Sequence, residues 1–373
     1  MKKLSKNLKS NIITYGIVII AFVICQCMIG AGTMTRSLKG QLVPICVYIV
    51  MAVSLNLTVG ISGELSLGHA GFMSVGAFSS IVASAWLQAA LGIENSVMRL
   101  LLSMIIGGVF AGIAGVLIGI PVLRLRGDYL AIVTLAFGEI IRNVFNCLYI
   151  SLIPGRTSYV ADAANPEVFA KVQVMDLLNI AFNSTPDPSW QVIVNGPAGA
   201  TGVTKIATFG MGFALIIFTL IVVLNLVNSR SGRAIMAIRD NRIAAESMGI
   251  NVTKYKMMAF VTSAVLAGMA GALYGLNYST VTPSKFKFDT SILVLVFVVL
   301  GGIGNIRGSI IAATLLTILP ELLRAFADYR MLIYAIVLIL VMLATNSPAM
   351  RQLITRIIPK RKSSNPGKEG ETA

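Results

Sequence analysis

The sequence has 373 residues, of which 56% are hydrophobic and only 12% charged, and its mean hydropathy is +0.84. Soluble domains carry about 25% charged residues, so this composition excludes an ordinary water-soluble globule and makes lipid the main solvent. The formal charge of +15 sits at the ends of apolar runs and in a few loops, the pattern of membrane orientation, and this excludes a nucleic-acid binder.

Lys2, Lys3, Lys6 and Lys9 precede an apolar run from Ile12 to about Ile29. That run is long enough to span a bilayer and no small-residue cleavage site follows it, so it reads as a retained signal anchor. Stretches near 20 apolar residues then recur, giving about ten segments at 12–30, 41–60, 66–86, 99–120, 128–150, 207–227, 257–279, 290–306, 308–323 and 331–347. The expected fold is all-α, a polytopic transmembrane helical bundle of about 8–10 membrane segments. Segment 66–86 and the pair around Arg307 are expected to be broken or re-entrant, with Gly-rich backbone buried in protein. A faint echo links Gly68-His-Ala-Gly71 with Gly304-Asn-Ile-Arg-Gly308 and hints at paired broken helices.

Threaded from a cytoplasmic N-terminus, these segments put 19 Lys/Arg inside and 11 outside. Both termini are therefore expected in the cytoplasm of a cell (inner or plasma) membrane. Residues 1–350 read as the transmembrane domain. Within it, 151–206 is a Pro-rich extracytoplasmic insertion and 228–256 a basic cytoplasmic loop; 351–373 is a polar tail expected to be disordered. Cys25, Cys27, Cys46 and Cys147 lie in apolar stretches without metal-ligand spacing and read as inert thiols.

No enzyme site, metal cluster or cofactor motif emerges. The lone His69 has no second histidine, and the Gly367-Lys368 pair is followed by Glu369, so there is no phosphate-binding loop. Any ATP-driven step would need a separate ATPase chain. His69 sits between Gly68 and Gly71 and is expected to hydrogen-bond a neighbouring helix. Glu64 and Asp128 precede or open helices and are expected to cap them. Glu139 and Arg142 stand three apart on segment 128–150, as an internal ion pair or a contact for a zwitterion. The rows Gly108/Gly112, Gly115/Gly119 and Gly271/Gly275 predict close helix packing. Glu64, His69, Asp128, Glu139 and Arg142 are the candidates for a translocation path, carried on segments 66–86, 128–150 and 290–308.

The most informative stretch runs from Gly232 to Gly249. Asp240 or Asn241 is expected to cap a short helix through Met248, with Gly249 stopping it in the left-handed conformation. Ala244, Ala245 and Ser247 would form a small-residue face flanked by Arg239 and Arg242, suited to a groove on another protein; a plain solvated connector fits the composition equally. Ile243-Ala-Ala-Glu-Ser-Met-Gly249 resembles the coupling loop of ATP-binding cassette (ABC) importer permeases, with Ile243 in place of the first acidic residue. The wider stretch Gly232–Lys256 resembles the LivM-type branch, permeases for branched-chain amino acids. Ser62–Phe72, Leu125–Thr134 and Asn195–Gly202 are similar to three further segments of that family, in family order.

The resemblance implies a permease without catalytic activity or cofactor, joined by two ATPase subunits, a second permease subunit and an extracytoplasmic amino-acid-binding protein. It assigns Gly232, Arg233, Arg239, Asn241, Ala244, Ala245 and Gly249 to the ATPase coupling loop, and it implies alternating access driven from outside the bilayer. Sibling permeases for urea, short amides or simple sugars share the fold. An ion-driven secondary transporter is the rival of a different class, but it would be expected to carry several buried acids, where Glu139 is almost alone; a channel is the third possibility.

Overall fold

The computed structural model describes residues 6–32, 34–125, 127–152, 178–182 and 191–323, together with Ile336 and Ile339. Nearly all of these belong to the first of two compact units, Met1–Glu321; the second is Leu322–Ala373. The expected segment 331–347 lies outside the described residues apart from Ile336 and Ile339, as does the whole of the tail 351–373.

Among the described residues the chain is a helical bundle. Its helices are α1 (Lys6–Gly30), α2 (Arg36–Asn56), α3 (His69–Leu91), α4 (Ser96–Val122), α5 (Asp128–Cys147), α6 (Phe209–Asn228), α7 (Arg230–Asp240), α8 (Arg242–Ser247), α9 (Val252–Gly275), α10 (Phe288–Gly301) and α11 (Ile306–Leu322). Six of them, α2 with the turn that follows it, α3, α4, α5, α6 and α9, are long and apolar enough to cross a bilayer. Their ends follow local chemistry. The Asn95 side chain accepts the Val97 N–H (3.1 Å) to start α4, the Asn251 side chain accepts the Lys254 N–H (3.1 Å) to start α9, and Gly92, with φ 61°, stops α3.

Two places depart from regular helix. The end of α2 widens into a π-helical turn, Leu57–Ile61, closed by the Ser62 N–H on the Leu57 carbonyl (3.1 Å). An irregular stretch then leads to His69, so the break expected near segment 66–86 lies before the helix rather than within it. Segment 290–306 contracts to the 14 residues of α10, about 21 Å of helix against a hydrocarbon layer of about 30 Å. A 3-10 turn, Pro283–Phe286, precedes α10 and is driven into the bundle. Its Phe286 ring lies 6.0 Å from that of Phe78 and 5.9 Å from that of Tyr274.

The core is the trio α3, α4 and α9, which meet along glycines. A Cβ on Gly108, Gly112, Gly115 or Gly119 would press on Met269, Val265, Ala264 or Met257, and one on Gly271 would lie 2.0 Å from the Met73 carbonyl. All three glycine rows therefore mark close packing, as their spacing suggested.

The 151–206 insertion adds something the sequence reading did not foresee. β1 (Leu148–Leu152), β2 (Leu178–Phe182), β3 (Gln191–Asn195), β4 (Ala200–Thr201) and β5 (Thr280–Val281) form an antiparallel sheet in the order β2-β1-β3-β4-β5. Segment 128–150 thus ends as helix at Cys147, and its last residues are strand. Leu-Tyr-Ile-Ser-Leu continues the apolar run, and a short apolar run alone does not separate helix from strand.

Candidate functional site

The connection from α6 to α9 is built as a rigid corner. The Ser229 hydroxyl accepts the Gly232 N–H (3.1 Å) at the start of α7. A Cβ on Gly232 would lie 2.2 Å from the Leu226 carbonyl, so only glycine fits the bend. Arg233 donates to the Asn228 carbonyl (3.4 Å). Of the two expected caps it is Asn241 that serves, its side chain accepting the Ala244 N–H (3.1 Å), while Asp240 is the last residue of α7. Gly249, with φ 78°, closes α8: its N–H reaches the Glu246 carbonyl (3.0 Å) and that of Ile250 the Ala245 carbonyl (3.1 Å). Three polar caps and one glycine stop in so short a span make a framework rather than a slack connector.

The faces of α8 differ from the small-residue pair read from the sequence. Ala245 is buried in a small core with Ile238 and Val252, against which Ile250 and Tyr255 pack, whereas Ala244 is exposed. The two alanines therefore cannot meet the same groove. What α8 offers outward is apolar: Ile243 is 77% exposed and Met248 82%, beside the Arg242–Glu246 ion pair (2.9 Å). The signal available in the sequence was Ile243 and Met248, the two large apolar residues between Arg239 and Gly249.

Arg239 ties this corner to the membrane helices. Its guanidinium donates to the Gly60 carbonyl in the π turn (2.8 Å) and holds Asp240 (3.0 Å). Its stem lies over Gly63, where a Cβ would come within 2.6 Å of the Arg239 Cγ and where φ is 76°, so glycine is required twice over. On the other side of the π turn, buried Asn56 accepts the Gly304 N–H (2.8 Å) and donates to the Ser309 hydroxyl (2.9 Å). The turn after α2 and the turn between α10 and α11 thus touch directly. Lys256, in the first turns of α9, forms an ion pair with Glu64, and both side chains are nearly buried. A π turn, two glycine-rich breaks and the α7–α9 corner are joined in one polar network at one end of the bundle.

The remaining candidates separate from this junction. Glu64 pairs with Lys256 and caps no helix. His69 is buried, its Nε2 2.8 Å from the Ser54 hydroxyl, which itself donates to the Met51 carbonyl (2.9 Å); this satisfies the imidazole within the bundle. Gly127 precedes α5 and Asp128 is its first helical residue; the capping role expected of the Asp128 side chain falls outside what is described. Glu139 and Arg142 form an ion pair (2.7 Å), and the second oxygen of Glu139 accepts the Phe288 N–H (3.3 Å) at the start of α10. Glu139 therefore holds the end of the short helix α10 halfway along α5. On the open side of α5, Tyr129, Ile132, Ala136, Ile140 and Asn143 form an exposed stripe at helical spacing.

The family described as branched-chain amino acid transport system / permease component matches residues 37–342. The chain is 34% identical over 334 residues to the high-affinity branched-chain amino acid transport system permease protein LivM of Escherichia coli (strain K12), covering 88% of this chain and 72% of that protein. It is 26% identical over 298 residues to the LivH permease protein of Salmonella typhimurium, covering 79% and 88%. A shorter match, 30% identical over 176 residues, joins it to the ribose import permease protein RbsC of Escherichia coli (strain K12), covering 42% and 55%. No solved structure matches the chain.

Proposed function

This chain belongs to the branched-chain amino acid transport permease family, and from that premise we propose that it is the membrane-spanning subunit of an ATP-driven importer for branched-chain amino acids, moved by separate ATPase subunits that seat on α8. The single observation that carries the reading is the outward face of α8. Ile243 and Met248 project from a helix capped at both ends, and that helix is locked through Arg239 to the π turn of α2. Large apolar side chains on a rigid polar corner suit a protein groove, and a force applied there passes to the breaks at Gly60 and Gly304 without a flexible joint.

On this reading the α7–α9 corner faces the cytoplasm, as the excess of basic residues on that side suggests, and an extracytoplasmic binding protein delivers the cargo to the opposite end. The exposed stripe of α5 faces a second permease subunit, and the translocation path runs along that seam. Glu139 and Arg142 border the seam, and His69 and Glu64 hold the helices behind it. Similarity to the ribose permease covers less than half of this chain, whereas the LivM match runs across most of it, which favours amino acids as cargo.

The test is assembly. With Ile243→Asp and Met248→Asp together, the ATPase subunit is expected to be lost from the purified complex, because two carboxylates would be buried against a groove. Ala244→Trp is expected to weaken attachment too. Ala245→Trp should instead disturb the Ile238–Val252 core and lower thermal stability. Retention of the ATPase by the double aspartate variant would remove α8 as the docking element.

A further inference from the structure

Beside the sheet, at the end of the bundle opposite the α7–α9 corner, a cleft of about 320 Å³ opens between the C-terminal half of α3 and strands β3 and β4. Its lining includes the apolar Ile81, Ala85 and Val192 and the polar Gln88, Gln191 and Thr204. Its volume is at the small end of the range for small-molecule sites.

Arg99, near the start of α4 and 5% exposed, holds two of these polar residues, Gln88 and Thr204. Among the described residues it has no carboxylate partner. Its guanidinium donates to the Gln88 side-chain carbonyl (2.6 Å) and to the Thr204 hydroxyl (3.2 Å), and its Nε is buried without a hydrogen-bond partner. The Ser103 hydroxyl, one turn further along α4, is likewise buried and without a partner among the described residues. A buried guanidinium with no carboxylate among the described residues is costly to a fold, and a buried charge in a membrane protein is a functional candidate by default.

The arrangement also fixes what the cleft wall presents. With the Gln88 oxygen turned to Arg99, its amide N–H groups are the part left to face other partners. Thr204 accepts from Arg99, so its hydroxyl hydrogen is left to donate. Two neutral side chains become donors backed by a positive charge, and polarised donors favour an anion. We propose that this cleft binds a small amphiphilic carboxylate, the acid group at Gln88 and Thr204 and the apolar tail against Ile81, Ala85 and Val192, with Arg99 as the positioning residue. That the ligand is a branched-chain amino acid waiting at the outer end rests on the cargo proposed above; the preference for a carboxylate does not.

The test uses the complete permease–ATPase complex in lipid nanodiscs, without nucleotide or binding protein, and reads binding of three probes by saturation-transfer NMR. The probes are leucine, 4-methylpentanoate, which keeps the acid and lacks the amine, and 3-methylbutylamine, which keeps the amine and lacks the acid. Leucine and 4-methylpentanoate are expected to bind and the amine is not. Arg99→Gln should weaken both acids about tenfold or more, and Ala85→Trp, which fills the cleft from its wall, should abolish the signal. Should Arg99→Gln fail to assemble, Ala85→Trp decides alone. Equal binding of the amine, acid binding indifferent to Ala85→Trp, or no acid bound at all would overturn the site. Acid binding without ATP-driven leucine uptake would leave the cleft standing and remove the cargo; uptake without acid binding would remove the cleft alone.

Discussion

Replacing Gly76 with alanine, a change of one methyl group, is expected to cost the protein about 3 kcal/mol of stability or more. A Cβ at that position would lie 2.0 Å from the Gly268 carbonyl and 2.4 Å from its Cα, and both atoms are backbone. No rotamer change relieves such a contact, so α3 and α9 would have to move apart. Gly107 and Gly268 would feel the movement, because Gly107 stands against the Gly76 carbonyl and Gly268 against Ala111. Overpacking a side-chain core costs about 1–3 kcal/mol, and a backbone-on-backbone clash belongs at or above the top of that range. Gly40 is the control: it is helical, with nothing near its missing Cβ, and Gly40→Ala is expected to leave stability unchanged or raise it by roughly 0.5–1 kcal/mol. Thermal unfolding of the detergent-solubilised protein separates the two, and equal behaviour of the two variants would contradict the packing described.

The second large effect concerns Lys256 and Glu64. Removing one partner leaves the other charge nearly buried and unpaired, which costs about 3–5 kcal/mol. Lys256→Met and Glu64→Leu should therefore each destabilise the protein strongly. The double variant should recover much of the loss, since two apolar side chains replace a desolvated ion pair. Losses that simply add in the double variant would show that the two groups do not act on each other. The cycle also bears on function. The pair joins the first turns of α9 to the loop after the π turn, so a double variant that folds yet uncouples ATP hydrolysis from uptake would mark this link as part of the drive train.

How far the sequence foretold these features depends on distance along the chain. Asn241 and Gly249 were legible because a cap and a left-handed stop are decided by hydrogen bonds within a few residues. The glycine rows were legible because a spacing of four marks one helix face, whatever packs against it. The partner of Glu64 was not, because it lies 192 residues away, and nothing local distinguishes a capping carboxylate from one meeting a distant lysine. Asn56 drew no notice inside an apolar run, yet it joins the breaks at Gly60 and Gly304 through a partner 248 residues away. The inward turn of Ala245 escaped for a different reason: a helix of six residues is too short for periodicity to fix its phase. The strand at Leu148–Leu152 was hidden in an apolar run shared with α5, where length and hydropathy carry the same sign for both conformations. Composition suggested a membrane bundle, and family resemblance supplied the machine; only the packed structure showed which residues meet.

In the function proposed, an external ATPase acting through the corner before Gly249 drives transport through this chain. The most direct measurement is uptake of radiolabelled leucine into proteoliposomes holding this chain and its second permease, with the binding protein present, and with or without the ATPase subunits and ATP. Uptake only when ATPase and ATP are both present, and its loss in the Ile243→Asp/Met248→Asp variant, is the predicted result. Uptake by the two permease chains alone, driven by an imposed proton or sodium gradient, would contradict it.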